Sequence, residues 1–424
     1  LQDAEISTRK AIDLNPDFAE AHSNLGNILR DLGKLQNAEI STRKAIELNP
    51  DFAEAHSNLG NIFEDLGKLE EAESSYKKAI EIKPDYAKAH FNLGNIFRDL
   101  GKLEEAESSY KKTIKHNPNF VEAKINLDIL TMQQVPLWHI PMMNDYRRNN
   151  AYLKAINSVI EDNEYVLEIG TGSGLLSMMA IDAGAKKVIT CEVSKPIAEA
   201  AKKIIKTNGY SNRIEVINKK STELNIDIDI EKKADIIISE ILSSEFVGEG
   251  VQKSLSDANQ RLLKENGRMI PEAGQIRVAL LESSPEIEKE LFVQRINGYD
   301  LSEFNNIIGQ KLNIHYLGRK TTTSFLSEIK VPFSFDLYSN EIINRQEIIL
   351  EIEACKSGIC LGLISWLKLK LCENIDFENN PSETCTSGWV NPIYKFNHPF
   401  KITKGQLIKV KATLLRDRVW YEFI

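Results

Sequence analysis

The stretch Tyr165–Gly174 reads YVLEIGTGSG, an apolar run broken by one glutamate and followed by glycines on every second position. A short apolar run bounded by turn residues is a buried strand. Alternating glycines let the backbone take left-handed turns and pass close to a ligand. Beyond the turn the chain alternates: a helix in LLSMMAIDAG, a strand in KVITCEV, a helix in SKPIAEAAKKIIKTNG, then strands in IEVIN and ADIIISE. Strand and helix at this spacing predict a doubly wound parallel sheet, with ligands outside the carboxyl ends of the strands. Glu192 ends the second strand, 22 residues after Gly170, where an acid accepts hydrogen bonds from ribose hydroxyls.

The glycine turn alone serves both nicotinamide and S-adenosylmethionine enzymes, and GxGxG lacks the extra residue of GxGxxG. Charge separates the two. Directly after Ile236-Ile237-Ile238, residues Ser239–Gly250 read SEILSSEFVGEG, with Glu240, Glu245 and Glu249 among small and apolar residues. Carboxylates in such a place lose hydration and call for a cation. The ends of strands one and four flank the switch point, so this acidic loop stands beside the cofactor. It would repel a pyrophosphate and welcome a sulfonium. Read by itself, Glu249 is equally a first-turn acid of the helix VQKSLSDANQRLL. Glu240, closing an apolar strand, has no such reading.

Outward on the N-terminal side, Pro16, Pro50, Pro84 and Pro118 recur every 34 residues, each in a phrase like NPDFAEAHSNLGNI. That period is the tetratricopeptide length, and it covers residues 1–130. Asn24, Asn58, Asn92 and Asn126 hold one repeat position, with Asn27, Asn61 and Asn95 three residues on. Amides on a concave face can donate to and accept from an extended peptide; near-identical repeats also copy residues that do nothing. The chain enters in mid-repeat, which points to further sequence upstream. Outward on the other side, from about Glu272, period-two alternation in QIRVALLES, VPFSFDLYS, QEIILEIEA, LGLISWLKLKL and VWYEFI predicts an antiparallel barrel or sandwich.

The expected organisation is an all-α repeat solenoid over 1–130, an α/β doubly wound domain over 131–270 and a β-barrel over 271–424. A net charge of −8 and the lack of a Lys/Arg stripe argue against a nucleic-acid binder. The five cysteines are odd in number and without paired CxxC spacing, which disfavours disulfides and structural zinc. With no apolar run near the roughly 20 residues that span a bilayer, a cytoplasmic protein with no metal and no membrane partner is expected.

The phrases EYVLEIGTGSGLLSMMA, KKVITCEVS, INKKSTEL and DIIISEILSSEFVGEG resemble the protein arginine methyltransferases, closest in form to members that make monomethyl or symmetric dimethyl arginine. The similarity runs from about Trp138 to the C-terminus. It implies S-adenosylmethionine as donor and arginine in a peptide or protein as acceptor. Glu240 and Glu249 fall on the paired catalytic glutamates, and Glu168, Gly170, Gly172 and Gly174 on the cofactor turn. Glu192 falls on the ribose acid and Arg148 on the arginine that meets the cofactor carboxylate. His139 and Met142 fall in the cofactor pocket, and Ser221 and Thr222 border the adenine, with a polar residue where many relatives carry glutamate. Glu245 matches no catalytic position and is expected in solvent or in a loop ion pair.

The resemblance also implies a homodimerisation arm at 284–310, short in this chain. Where the family has Thr-His-Trp, this chain has Ser387-Gly388-Trp389. The family histidine pairs with an acid at the position of Asp145 and helps remove a proton; glycine is expected to do neither, while Trp389 walls the arginine slot. Val251 stands where asymmetric dimethylators carry methionine. The leading function is thus an arginine methyltransferase whose substrate the repeats present. The alternatives are a decayed enzyme acting as a peptide-binding adaptor and a methyltransferase for a small cationic amine.

Overall fold

The structure, a computed structural model, describes residues 1–307, 309, 311–314, 323–383 and 388–424; of 133, 134 and 311–314 the backbone alone is described. Ser387, and residues 308 and 310 of the expected arm, lie outside the described residues. The chain forms two compact units, Leu1–Gln134 and Val135–Ile424.

The first unit is a row of helices: α1 (Gln2–Leu14), α2 (Ala19–Asp31), α3 (Leu35–Leu48), α4 (Ala53–Asp65), α5 (Leu69–Ile82), α6 (Ala87–Asp99), α7 (Leu103–His116) and α8 (Val121–Gln134). The turn after α2 reverses the chain through Gly33 at φ +74°, and Gly67 and Gly101 repeat it at +72°. Such left-handed positions favour glycine because it has no Cβ. A Cβ on Gly60 would lie 2.5 Å from the Tyr76 ring, and one on Gly94 2.6 Å from Tyr110. The repeats therefore pack helix against helix through a glycine and a buried tyrosine.

The repeated asparagines are tied from one repeat to the next. Asn58 Nδ2 donates to Ser23 Oγ (3.0 Å), Asn92 Nδ2 to Asn61 Oδ1 (2.8 Å) and Asn126 Nδ2 to Asn95 Oδ1 (2.9 Å). The Tyr76 and Tyr110 hydroxyls donate to the same Asn61 and Asn95 oxygens. Asn58, Asn92 and Asn126 commit a donor inside the array, and Asn24 is the exposed one of the four.

The second unit opens with α9 (His139–Met143) and α10 (Tyr146–Val159). Then follow β1 (Tyr165–Ile169), α11 (Leu175–Asp182), β2 (Lys187–Cys191), α12 (Lys195–Thr207), β3 (Ile214–Ile217), β4 (Ala234–Ser239), α13 (Val251–Arg261) and β5 (Leu263–Ile270). The sheet order is β3-β2-β1-β4-β5 with every pair parallel, so the order reverses between β1 and β4. The crevice at that reversal is where such sheets bind ligands. Strand β5 has no clean alternation in LKENGRMI: Asn266 at φ +61° and a register shift against β4 interrupt it.

The rest is antiparallel. It comprises β6 (Ala273–Glu282), α14 (Pro285–Leu291), β7 (Arg295–Ile296), β8 (Tyr299–Asp300), β9 (Lys311–Ile314), β10 (Lys330–Asp336), β11 (Arg345–Glu353), β12 (Gly358–Cys372), β13 (Ile375–Glu378), β14 (Asn391–Ile402), β15 (Leu407–Leu415) and β16 (Arg418–Phe423). One sheet runs β10-β6-β12-β14-β9 with β13 on β12, and the other β11-β15-β16. They form the β-barrel domain, with Leu363, Leu367, Val410, Ala412 and Tyr421 buried in a core continuous with that of the parallel sheet. Among the described residues no helix is long and apolar enough to cross a membrane.

Candidate active site

The glycine turn is built for close approach. Gly170, Gly172 and Gly174 have φ of +85°, +50° and +77°. A Cβ on Gly170 would meet Ile241 Cγ2 at 2.4 Å, whereas one on Gly172 has nothing within 4 Å. Gly170 thus seats the acidic loop, and Gly172 leaves open room beside the N-terminus of α11. Glu192 braces the turn: its Oε2 accepts from Gly172 N (3.3 Å) and its Oε1 from Ser194 N (2.9 Å).

Glu168 is corrected from a cofactor contact to a support. It is 1% exposed in β1, and the Ser177 hydroxyl donates to its Oε2. Burial pushes its carboxyl up to about 8 against the pull of Ser177 and Thr190. A side chain so enclosed holds α11 against the turn and does not face a ligand.

The acidic loop carries strain. Phe246, Glu249 and Gly250 sit at φ +69°, +59° and +70°, and non-glycine residues in that region cost on the order of 1–3 kcal/mol each. Ser243 Oγ offsets part of this by accepting from Glu245 N and Gly248 N. Phe246 is fully buried and stacks on Phe335 at 4.4 Å. Glu249 is exposed at the end of the loop, yet burial first, and then Glu192, pushes its carboxyl up.

Glu240, just past the end of β4, is buried and ion-paired with Arg148, Nη1 to Oε2 at 3.0 Å. Its other oxygen, Oε1, is buried with no hydrogen-bond partner. Burial pushes the carboxyl up to about 8; Arg148 pulls it down, while Glu249, Asp145 and Glu168 push it up. Arg148, expected on a cofactor carboxylate, is thus also the partner of a candidate catalytic acid. Asn149 Oδ1 accepts from its Nη2 at 2.8 Å.

Residues at the head of β14 grip this loop. Trp389 is 4% exposed and its Nε1 donates to Leu242 O (2.8 Å), while Val390 N donates to Ser244 Oγ (3.1 Å). Trp389 therefore holds the loop in place. The Tyr394 hydroxyl donates to Glu245 Oε1 (2.6 Å), so Glu245, expected in solvent or in a loop ion pair, anchors the loop to the barrel. Sequence reasoning passed over Tyr394, whose position in NPIYKFNHPFKI carries no local signal of a partner in the acidic loop.

Gly388 corrects a further expectation. Its main-chain N–H donates to Asp145 Oδ2 at 3.2 Å, so the glycine does reach the acid that the absent histidine was to meet. Met142 is half-buried beside it, and His139, also half-buried, stacks on Trp138 at 3.9 Å. Burial lowers the His139 imidazole below its usual value. Ser221, buried, and Thr222, half-buried, lie on a separate turn pinned by Arg261, which donates to Ser221 O and Leu224 O. The structure brings Gly172, Glu192, Arg148, Asp145, Glu240 and Glu249 into one electrostatic neighbourhood; no hydrogen bond among the described residues joins Ser221 or Thr222 to it. Nor do the described residues include a His/Cys/Asp/Glu group able to hold a metal.

Comparison with known proteins bears on the fold and the family. The ribosomal protein L11 methyltransferase (PrmA) pattern matches residues 149–276, and tetratricopeptide patterns match 8–40, 26–67, 60–97 and 87–120. The Trypanosoma brucei PRMT1 enzyme–prozyme heterotetrameric complex with AdoHcy shares the fold at a TM-score of 0.56 and 22% identity, over 68% of this chain and 93% of that one. The protein arginine N-methyltransferase 7 of Xenopus laevis is 40% identical over 315 residues, 66% of this chain but 44% of that protein. That of Aedes aegypti is 30% identical over 60% of this chain and 39% of its own length, so the chain spans less than half of these animal relatives. The arginine N(omega)-methyltransferase of Streptomyces achromogenes subsp. streptozoticus is 33% identical over 284 residues, 66% of this chain and 77% of that protein. With that share of a whole relative aligned, this chain belongs to the arginine N-methyltransferase family, whose methyl donor is S-adenosylmethionine.

Proposed function

We propose that this chain transfers a methyl group from S-adenosylmethionine to a guanidinium nitrogen of arginine in a protein or peptide. The observation that carries the reading is Glu240 Oε1, a buried carboxylate oxygen with no partner. An orphaned acceptor of this kind costs about 1–3 kcal/mol until a donor arrives, and an arginine side chain presents five donors in a flat fork.

The site's chemistry suits two cations. Asp145, Glu168 and Glu249 act on Glu240, and Glu192 on Glu249, while Arg148 is the one guanidinium among the residues named. The donor supplies an electrophilic methyl on a positively charged sulfur. Gly172, Glu192 and Arg148 are the residues that would hold it, and the open space over Gly172 is consistent with a ligand lying against the backbone. Glu240 Oε1 would take an N–H of the incoming guanidinium and Glu249 a second, fixing its plane. Charge drawn toward those acids leaves electron density on the nitrogen aimed at the methyl. Alignment of this sort is worth about 7–11 kcal/mol of barrier. The proton that the nitrogen sheds would pass to Glu240, which is ionised while it holds the guanidinium and which burial makes a better proton acceptor than an exposed carboxylate.

In our reading the protein is cytoplasmic, binds neither nucleic acid nor membrane, and divides functionally at residues 130 and 270. The repeats would present the substrate. We also read it as a homodimer: Ile296, Tyr299, Leu301, Phe304 and Ile307 are exposed together on the arm, an apolar cluster that a second subunit would cover. The experiment is a labelled-donor assay on lysate protein with mass spectrometry of the modified side chain. Methylarginine supports the reading; label on another side chain, or on no protein at all, removes it.

A further inference from the structure

The strip Gly388–Val390 touches both halves of the site. On one side Gly388 N–H reaches Asp145 Oδ2 at 3.2 Å. On the other Trp389 Nε1 and Val390 N hold Leu242 and Ser244 in the acidic loop. Asp145, 1% exposed, uses its second oxygen to cap α10, accepting from Arg148 N at 3.0 Å. Arg148 in turn holds Glu240. A continuous series of contacts thus runs from the Gly388 main chain through Asp145 and Arg148 to the orphaned carboxylate.

The space at Gly388 is filled from the other direction. A Cβ there would stand 2.6 Å from Met142 Cα, 2.9 Å from Met142 N and 3.0 Å from Met142 Cγ. Two of those atoms are backbone, which cannot yield by a rotamer change. What a side chain at 388 would lack is room. The α9 segment occupies the volume that a side chain at 388 would take.

We propose that Gly388 is a positioning residue for methyl transfer: its main-chain N–H fixes Asp145, and its missing Cβ admits α9 against the site, which together set Arg148 and Glu240 in place. The inference rests on the arginine methyltransferase reading for its turnover arm and on binding alone for the other. It recasts the departure from Thr-His-Trp as a different way of making one contact, main chain to carboxylate in place of imidazole to carboxylate, with the neighbouring helix repacked to suit.

The test uses the full chain with Gly388→His, Gly388→Ala, Asp145→Asn and the Gly388→Ala/Asp145→Asn pair. Turnover on a protein substrate and affinity for S-adenosylhomocysteine are measured alongside thermal melting. Gly388→His, which restores the family's side chain, is expected to lower kcat by about 100-fold, the scale of a 1 Å misplacement, and to weaken S-adenosylhomocysteine binding. Asp145→Asn adds no heavy atom; its amide oxygen can keep one of the two N–H groups, but its NH2 then faces the other, and the variant is expected to lose the same step while melting normally. The double variant is expected to be no worse than the poorer single one, because the Cβ at 388, by pushing the strip off Met142, and the amide at 145 disrupt the same contact between the Gly388 N–H and Asp145. Gly388→His at or above wild-type turnover, an unimpaired Asp145→Asn, or strictly additive losses would overturn the proposal. If the wild type transfers no methyl, the arginine reading fails by itself. The proposal is then still decided on S-adenosylhomocysteine affinity across the same four variants.

Discussion

Arg148 and Glu240 form an ion pair of 3.0 Å in which both side chains are 7% exposed. Removing one partner of a buried pair strands the other charge, at a cost of about 3–5 kcal/mol. Arg148→Ala should therefore destabilise the chain on that scale. Glu240 can relieve the loss by taking up a proton, since burial and its neighbouring acids already push it up to about 8. The penalty should then be small at pH 6 and approach its full size at pH 9, as read from urea unfolding at the two values. An equal loss at both would show that the carboxylate stays ionised without its arginine.

The same carboxyl predicts a pH dependence of substrate use. An acid whose folded-state pKa lies above its ordinary value keeps its proton in the empty site below about pH 8. The neutral form binds a guanidinium poorly, and the guanidinium keeps its charge throughout, with a pKa above about 12. KM for an arginine peptide should fall as pH rises toward about 8 and then level off. Glu240→Gln should flatten that limb and lower kcat by about 100- to 1,000-fold, the usual scale for losing a preorganised electrostatic contact. A flat wild-type profile would contradict this reading.

What the sequence disclosed and what it withheld divide along contact range. The 34-residue spacing of Pro16, Pro50, Pro84 and Pro118 declared the helical repeats, and the alternation after Gly170 declared the parallel sheet, because both are local patterns. The position of Glu240 at the end of an apolar strand was equally local. Its partner Arg148 lies 92 residues away, and that pairing followed from no spacing. Glu168 looked available for a ligand until Ser177 and Thr190 closed over it. Gly388 looked like a loss because a sequence lists side chains, and the group that reaches Asp145 is main chain. Strand β5 escaped notice because the left-handed Asn266 breaks the period that would announce it.

Tyr394 grips the acidic loop from behind, donating to Glu245 Oε1 and to Val419 O. Tyr394→Phe keeps the ring contacts with Tyr421 and Trp420 but releases Glu245. The loop holding three left-handed residues then loses one tether, and Glu249 should wander. The expected result is a kcat lowered by about tenfold or more with S-adenosylhomocysteine affinity little changed, since misplacement by fractions of an ångström is enough. Steady-state kinetics beside isothermal titration would separate the two. A matching fall in donor affinity would mean that the tether serves the cofactor turn instead.

The asparagines of the repeat array set up an opposition that one substitution resolves. Asn92 Nδ2 donates to Asn61 Oδ1, which also accepts from the Tyr76 hydroxyl, and that hydroxyl further donates to Glu64 Oε2 at 2.9 Å. If this network joins the repeats, Asn92→Ala should lower the stability of the array by roughly 1 kcal/mol, the net worth of a typical hydrogen bond. Tyr76→Phe should cost about 1–3 kcal/mol, because it removes the hydroxyl donor shared by the half-buried Glu64 and Asn61 oxygens, of which Asn61 alone keeps the Asn92 amide. Hydrogen exchange across α4–α6 in the full chain reads both. Unchanged protection in Asn92→Ala together with lost peptide capture would assign the amide to the ligand. Lower protection with capture intact would assign it to the scaffold, the outcome expected from a donor already engaged within the array.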